Sequence, residues 1–212
     1  MKKIMFNDRY GLEQAVLAWL KTMTRRIAYD GKMRYEPHFG FNKKGQMVLL
    51  DGWKVVATSR YAIGEEVAIA QSYKVTAQQN REWLDLQLEA NGQYIGELMD
   101  SGGWENKMFV SDYYCPNHIR IKNIKAERLQ DISEEDAMRE GVFKYDKPPL
   151  HHEMDMFAPW PPYIKPYKWD GNNLIYRYTA RYAFAYLIDK ISGRGTWNRN
   201  PWVFAYEFEL IK

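Results

Sequence analysis

The spacing of apolar positions changes repeatedly along the chain, and each change marks an element. Ile4 to Phe6 predicts a short opening strand, and Leu12, Ala15, Val16 and Trp19 at helical spacing predict a helix over 12–20. Lys21-Thr22-Met23-Thr24-Arg25-Arg26-Ile27 alternates and is β-branched, so it reads as a strand. Two strand-like runs, Gln46 to Leu50 and Trp53 to Thr58, flank Asp51-Gly52, which suits a type I′ hairpin turn. Glu65 to Tyr73 reads as a core strand. Residues 77–107 admit two periods, since Leu84 and Leu88 fit a helix ending at Gly92 while Leu84, Leu86 and Leu88 also alternate; the helix is favoured. Ile119 and Ile121, alternating with Arg120 and Lys122, predict another strand.

The next helix has a sharp start. Ser133 can cap it, Glu134 to Asp136 place negative charge in its first turn, Ile132 and Ala137 can form a staple, and Gly141 can stop it. Six of the nine prolines then fall between Pro148 and Pro166, among Trp160, Tyr163, Tyr167 and Trp169, which predicts a long irregular loop or lid within 143–178. A helix over 180–191 and a strand over 202–210 close the chain. Strands spread along the whole length, separated by short helices, predict an α+β fold built on a small mixed β-barrel, in a single domain spanning 1–212.

Composition narrows the class. Hydrophobic residues make up 46% of the 212 and aromatic residues 16%, enough for a core; the net charge of +3 permits a polyanionic partner without demanding one. The single cysteine, Cys115, excludes an intramolecular disulfide and a multi-thiolate zinc site. The start, MKKIMFNDRYG, has no long apolar run and no other stretch is long enough for a bilayer, so a cytoplasmic protein without a membrane partner is expected. His151-His152-Glu153 invites a metal reading, but adjacent side chains diverge and no H-E-x-x-H is present, so no metal or other cofactor is expected.

Three stretches resemble the ASCH family, whose fold is similar to that of PUA RNA-binding domains. They are Leu20-Lys21-Thr22-Met23-Thr24-Arg25-Arg26 (like a K-T-x-T-x-R signature), Ile63-Gly64-Glu65-Glu66-Val67-Ala68-Ile69 (like a G-[DE]-x-[VL] strand entry), and the strand-to-helix segment from Glu127 to Gly141. The ending, through Trp197 and Asn200-Pro201-Trp202 to Phe208, resembles the bacterial and phage branch. Residues 29–60, 76–103 and 143–178 then read as insertions. One departure stands out: where the family usually has a Gly-Arg or similar turn before the lysine, this chain has Trp19-Leu20.

Some family members remove the acetyl group from N4-acetylcytidine, and the resemblance places their catalytic lysine, threonine and glutamate on Lys21, Thr24 and Glu140. A threonine hydroxyl needs a base, a lysine serves only if burial or nearby cations lower its pKa, and the departing amine needs a proton. In a pure strand Lys21 and Thr24 would face opposite ways, so the helix-to-strand junction has to fall between them; Thr24 and Arg26 then share a face and Arg25 points away. Arg25, Arg26, His118 and Arg120 are the candidate substrate- or nucleic-acid-binding residues. Two readings remain open: an amidohydrolase acting on an N-acylated cytidine or related nucleoside, and a PUA-like RNA-binding module in which Lys21, Arg25 and Arg26 hold phosphate.

Overall fold

The computed structural model describes residues 1–145, 156–159 and 179–211. The fold is mixed α+β. In chain order its elements are β1 (Lys2–Ile4), α1 (Leu12–Leu17), β2 (Met23–Tyr29), β3 (Pro37–Phe41), β4 (Gln46–Asp51), β5 (Lys54–Ala62), β6 (Glu66–Ile69), α2 (Tyr73–Gln79), α3 (Arg81–Glu89) and α4 (Ile95–Met99). They continue with β7 (His118–Arg128), α5 (Glu134–Arg139), β8 (Val142–Tyr145), β9 (Met156–Pro159), α6 (Ala180–Ser192), α7 (Thr196–Arg199) and β10 (Trp202–Ile211). Two compact units form, one from 1–6, 66–120 and 210–212, the other from 7–65 and 121–209.

In the first unit β1 runs parallel to β6, and β6 pairs antiparallel with the opening residues of β7. Its core gathers Tyr73, Leu84, Leu88, Leu98, Val110 and Tyr114. The two periods of 77–107 resolve as helix: Leu84 and Leu88 are buried four residues apart, whereas Leu86 lies on the exposed side of α3. The strand foreseen over 65–73 is shorter, ending at Ile69, because Ser72 Oγ accepts from Val75 N and starts α2.

In the second unit β10 lies between the rest of β7 and β2, antiparallel to β2 with Tyr206 opposite Thr24 and Ala205 opposite Arg25. β3, β4 and β5 form a three-stranded antiparallel sheet in which β3 is an edge. The β4–β5 hairpin is as foreseen, but its turn is not Asp51-Gly52. Asp51 pairs with Lys54, so the loop is Gly52-Trp53, and only Gly52 takes a positive φ (60°). Glycine first and an ordinary second residue is the type II′ pattern.

Ser133 Oγ accepts from Asp136 N at 3.0 Å, so the cap of α5 is where the sequence placed it, and Gly141 (φ 98°) follows its end. Within the stretch expected to be irregular, β8 and β9 instead pair antiparallel. The remainder of that stretch, including the lid reading of its Pro-aromatic segment and His151-His152-Glu153, lies outside the described residues. Among the described residues no helix is long and apolar enough to cross a membrane.

Candidate functional site: a buried charge cluster at the end of α5

α1 ends at Leu17, and the chain turns through Trp19 and Leu20 into β2. Leu20 N and Lys21 N both donate to Ala15 O, which folds the turn back on the helix. Trp19 takes φ 62°, a left-handed conformation that L-residues rarely adopt. Glycine would bend here without strain, whereas the exposed indole carries that cost.

The turn delivers Lys21 into the protein interior. Its side chain is 1% exposed, and Nζ donates to Met23 O (2.7 Å), Glu140 O (2.6 Å) and Glu140 Oε2 (2.8 Å). Three acceptors match the three protons of an ammonium. Glu140 sits at the carboxyl end of α5, where a carboxylate opposes the helix dipole; the Lys21 ammonium sits against both its backbone carbonyl and its carboxylate. Burial lowers the Lys21 pKa, Glu140 opposes that shift, and the Arg26 and Arg25 charges add to it. Gly141 closes the wall: a Cβ there would stand 3.1 Å from Leu12 Cδ2 and 3.4 Å from Lys21 Cδ, so only glycine fits both the φ and the space.

Arg25 is equally enclosed. Its side chain has no exposed surface, and it is held by three carboxylates: Nε to Glu127 Oε1 (2.8 Å), Nη2 to Asp136 Oδ2 (2.8 Å) and Nη1 to Glu140 Oε1 (3.1 Å). Glu140 thus bridges Lys21 and Arg25 through its two oxygens. Lys125 adds contacts to Asp136 (2.6 Å) and Glu127 (3.2 Å). Arg139 Nη2 reaches Glu207 Oε1 at 2.5 Å, and its Nε donates to Thr22 Oγ1 at 3.2 Å. Burial alone would raise the Asp136 pKa, but the hydrogen bonds from Lys125 and Arg25 outweigh it and hold the group below its ordinary value. A polar cavity of about 100 Å³ lies against this cluster, bounded by Met23, Asn123, Lys125, Asp136, Arg139 and Glu207. That is room for a few waters, well below the 300 Å³ or more of typical ligand pockets.

Of the residues foreseen from sequence, Lys21 and Glu140 are brought into contact, and β2 begins at Met23, so the junction does fall between Lys21 and Thr24. Thr24 is buried opposite Tyr206, and strand alternation puts it with Arg26 on one face of β2. Arg25 needs correction. It does point away from the face shared by Thr24 and Arg26, as expected, but it was also a candidate to hold phosphate or substrate; alternation carries it with Met23 toward α5, where three carboxylates occupy it. Opposite it stands Ala205, whose short side chain leaves room for the guanidinium. His118 and Arg120 belong to the first unit. His118 Nε2 lies 3.1 Å from Cys115 O, and Arg120 makes an exposed ion pair with Glu66 at 2.8 Å.

The sequence reading missed Glu127, Asp136 and Lys125 as members of the cluster. The signal was available in two periodicities. Lys125 and Glu127 are two apart on a strand, and Asp136 and Glu140 are four apart on a helix, so each pair shares a face. Asp136 had been credited only to the helix start, which it also serves. Among the described residues no group of three His, Cys, Asp or Glu side chains is placed to hold a metal ion. Comparison of the chain with protein-family models, curated proteins and solved structures finds no match.

Proposed function

We propose that the protein is an ASCH-type amidohydrolase with a PUA-like barrel, acting on N4-acetylcytidine or a related N-acylated nucleoside. The observation that carries this reading is the Lys21–Glu140 contact: a lysine with almost no exposed surface, 2.8 Å from a buried carboxylate. Thr24 follows Lys21 by three residues, at the start of β2, on the face it shares with Arg26.

The chemistry follows from that pair. The proposed reaction starts with one proton moved from Lys21 Nζ to Glu140 Oε2, giving a neutral amine and a carboxylic acid. The amine is then a base and the acid a proton donor. In the proposed reaction Lys21 takes the Thr24 hydroxyl proton as Oγ1 attacks the acyl carbon. Glu140 protonates the departing amino nitrogen as the C–N bond breaks, leaving an acyl ester on Thr24. Water then attacks the ester, giving up one proton to Glu140, while Lys21 returns its proton to Thr24 Oγ1 as the carboxylic acid leaves.

The competing reading, a phosphate clamp of Lys21, Arg25 and Arg26, loses support from the same geometry. Lys21 and Arg25 have at most 1% of their side chains exposed and are engaged by carboxylates, so a phosphate would have to displace buried ion pairs.

The test is release of acetate from N4-acetylcytidine by the wild type and three variants. Lys21→Arg, Thr24→Val and Glu140→Gln should each lower kcat by about 10²–10⁴-fold, with circular dichroism unchanged. Arginine cannot serve as the base because it does not give up its proton. No turnover by the wild type, or full turnover by Thr24→Val, contradicts the proposal.

A further inference from the structure

β3 is the open edge of its sheet: β4 pairs with one side of it, and among the described residues no strand pairs with the other. The phase of the ladder decides which backbone groups are left over. Just past β3, Asn42 N donates to Gln46 O at 3.0 Å, so the bonded pairs fall on every second residue back along the strand, at Gly40 and His38. Phe39 and Phe41 lie between those pairs and turn their N–H and C=O groups to the open side, where Pro37 adds a C=O alone.

The apolar layer stops at the same edge. Phe39 and Phe41 stand opposite Leu49 and Met47 on the core-facing side of the sheet. On β4 that layer is closed, with Leu49 0% and Met47 7% exposed, whereas on β3 the two rings are 46% and 51% exposed. Phe39 also rests on the Trp202 ring, at 5.4 Å between centroids. One further strand would cover the open sides of both rings and pair the outward backbone groups in the same step.

Charge selects the occupant. After β3 come Lys43 and Lys44, both exposed and without an ion-pair partner among the described residues. Before it come Lys32, Arg34 and Glu36, and the nearby Asp51 carboxylate is already engaged by Arg34 N (3.0 Å) and Tyr35 N (2.7 Å). Both ends of the edge are therefore basic. A second copy, paired antiparallel about a two-fold axis, would set basic end against basic end. An acidic chain meets opposite charge at each end. We infer that the β3 edge takes up an extended acidic segment of another protein as an added antiparallel strand. Apolar residues at alternate positions of that segment lie beside Phe39 and Phe41, and carboxylates at its ends meet the lysines. The inference does not depend on the chemistry at Lys21.

The experiment measures anisotropy of a fluorescein-labelled peptide, Asp-Glu-Val-Thr-Val-Thr-Val-Glu-Asp, titrated with the full chain, beside sedimentation of the protein alone. The peptide should bind the wild type. Lysine in place of each acidic residue of the peptide should weaken binding at least about tenfold. Methylating the backbone nitrogens of its valines, which would otherwise donate to the outward carbonyls of β3, should also cost at least about tenfold. In the protein, Phe41→Pro removes an N–H that the sheet does not use, a change that edge strands tolerate. It should weaken binding at least about tenfold, against no more than about fivefold for Phe41→Ala, which keeps the N–H. Lys43→Ala combined with Lys44→Ala should cost about 2- to 30-fold. Circular dichroism checks that the variants fold, and the altered peptides probe the same edge on unaltered protein. No binding of the acidic peptide, equal binding of the lysine or methylated peptide, undiminished binding by Phe41→Pro, or self-association abolished by Phe41→Pro would each overturn the inference.

Discussion

Lys21 and Lys43 carry the same ammonium within the same unit and meet opposite fates. Around Lys21 and Arg25, the guanidinium and the ammonium are packed against carboxylates from β7 and α5, and the side chains are shut away from water. On the β3–β4–β5 sheet, Lys43 and its neighbours stand in solvent with exposed aromatic rings beside them. Charge in the first region is desolvated and must be matched internally; charge in the second keeps its hydration and is available to a partner. A run such as Lys21-Thr22-Met23-Thr24-Arg25-Arg26 and a pair such as Lys43-Lys44 look equally basic in sequence. Burial separates charges that are matched inside the protein from charges left in solvent.

The sharpest way to break this comparison is to remove one cation from each region. Arg25→Met leaves Glu127, Asp136 and Glu140 without their shared guanidinium and should destabilise the protein by about 3–5 kcal/mol. Lys43→Met should change stability by no more than about 0.5 kcal/mol. Urea denaturation of both variants reads the contrast directly, and equal effects would erase it.

Acid titration sharpens it further. The folded pKa of Asp136 lies below its ordinary value of 3.8. Between the two values the unfolded chain binds the extra proton, so stability rises with pH there. The contribution is complete above the unfolded pKa and is lost as pH falls through the folded one. Asp136→Asn should flatten that acid limb in denaturation curves recorded across about pH 2–5. An unchanged limb would mean that Asp136 is not held by Lys125 and Arg25.

Much of the frame was legible before the structure, because it rests on local chemistry. Ser133, the acidic first turn and Gly141 marked α5 at both ends, and the alternation from Trp202 to Leu210 marked β10. Leu84 and Leu88 marked α3 only together with the exposed Leu86, since the spacing itself allowed either period. The hairpin was legible but its turn was shifted by one residue, because Asp51 is used as a backbone acceptor for Arg34 and Tyr35 and stays in the ladder. The cluster was half legible. Lys21 and Glu140 came from the resemblance, and alternation put Arg25 on the face away from Thr24 and Arg26, but it did not show what fills that face. The three carboxylates around it come from sequence positions more than a hundred residues away, which no local period reveals.

The turn that feeds the buried lysine offers a smaller test. Trp19→Gly removes the side chain from a left-handed position and should stabilise the protein by up to about 1 kcal/mol, part of the relief being offset by glycine's greater freedom when unfolded. Thermal denaturation checks the sign, and a clear loss of stability would show that the exposed indole makes a contact worth more than the strain.

The central claim is that burial makes Lys21 a lysine able to give up its proton. For such a group the unfolded chain holds a proton that the folded chain releases earlier, so stability rises with pH between the folded value and 10.5. The direct measurement is a pH titration of the lysine side-chain Cε and Nζ resonances by NMR, with the Lys21 signal assigned by its disappearance in Lys21→Arg. A midpoint below 10.5 is the predicted result; a midpoint at or above that value would show that Glu140 holds the proton in place and would contradict the account.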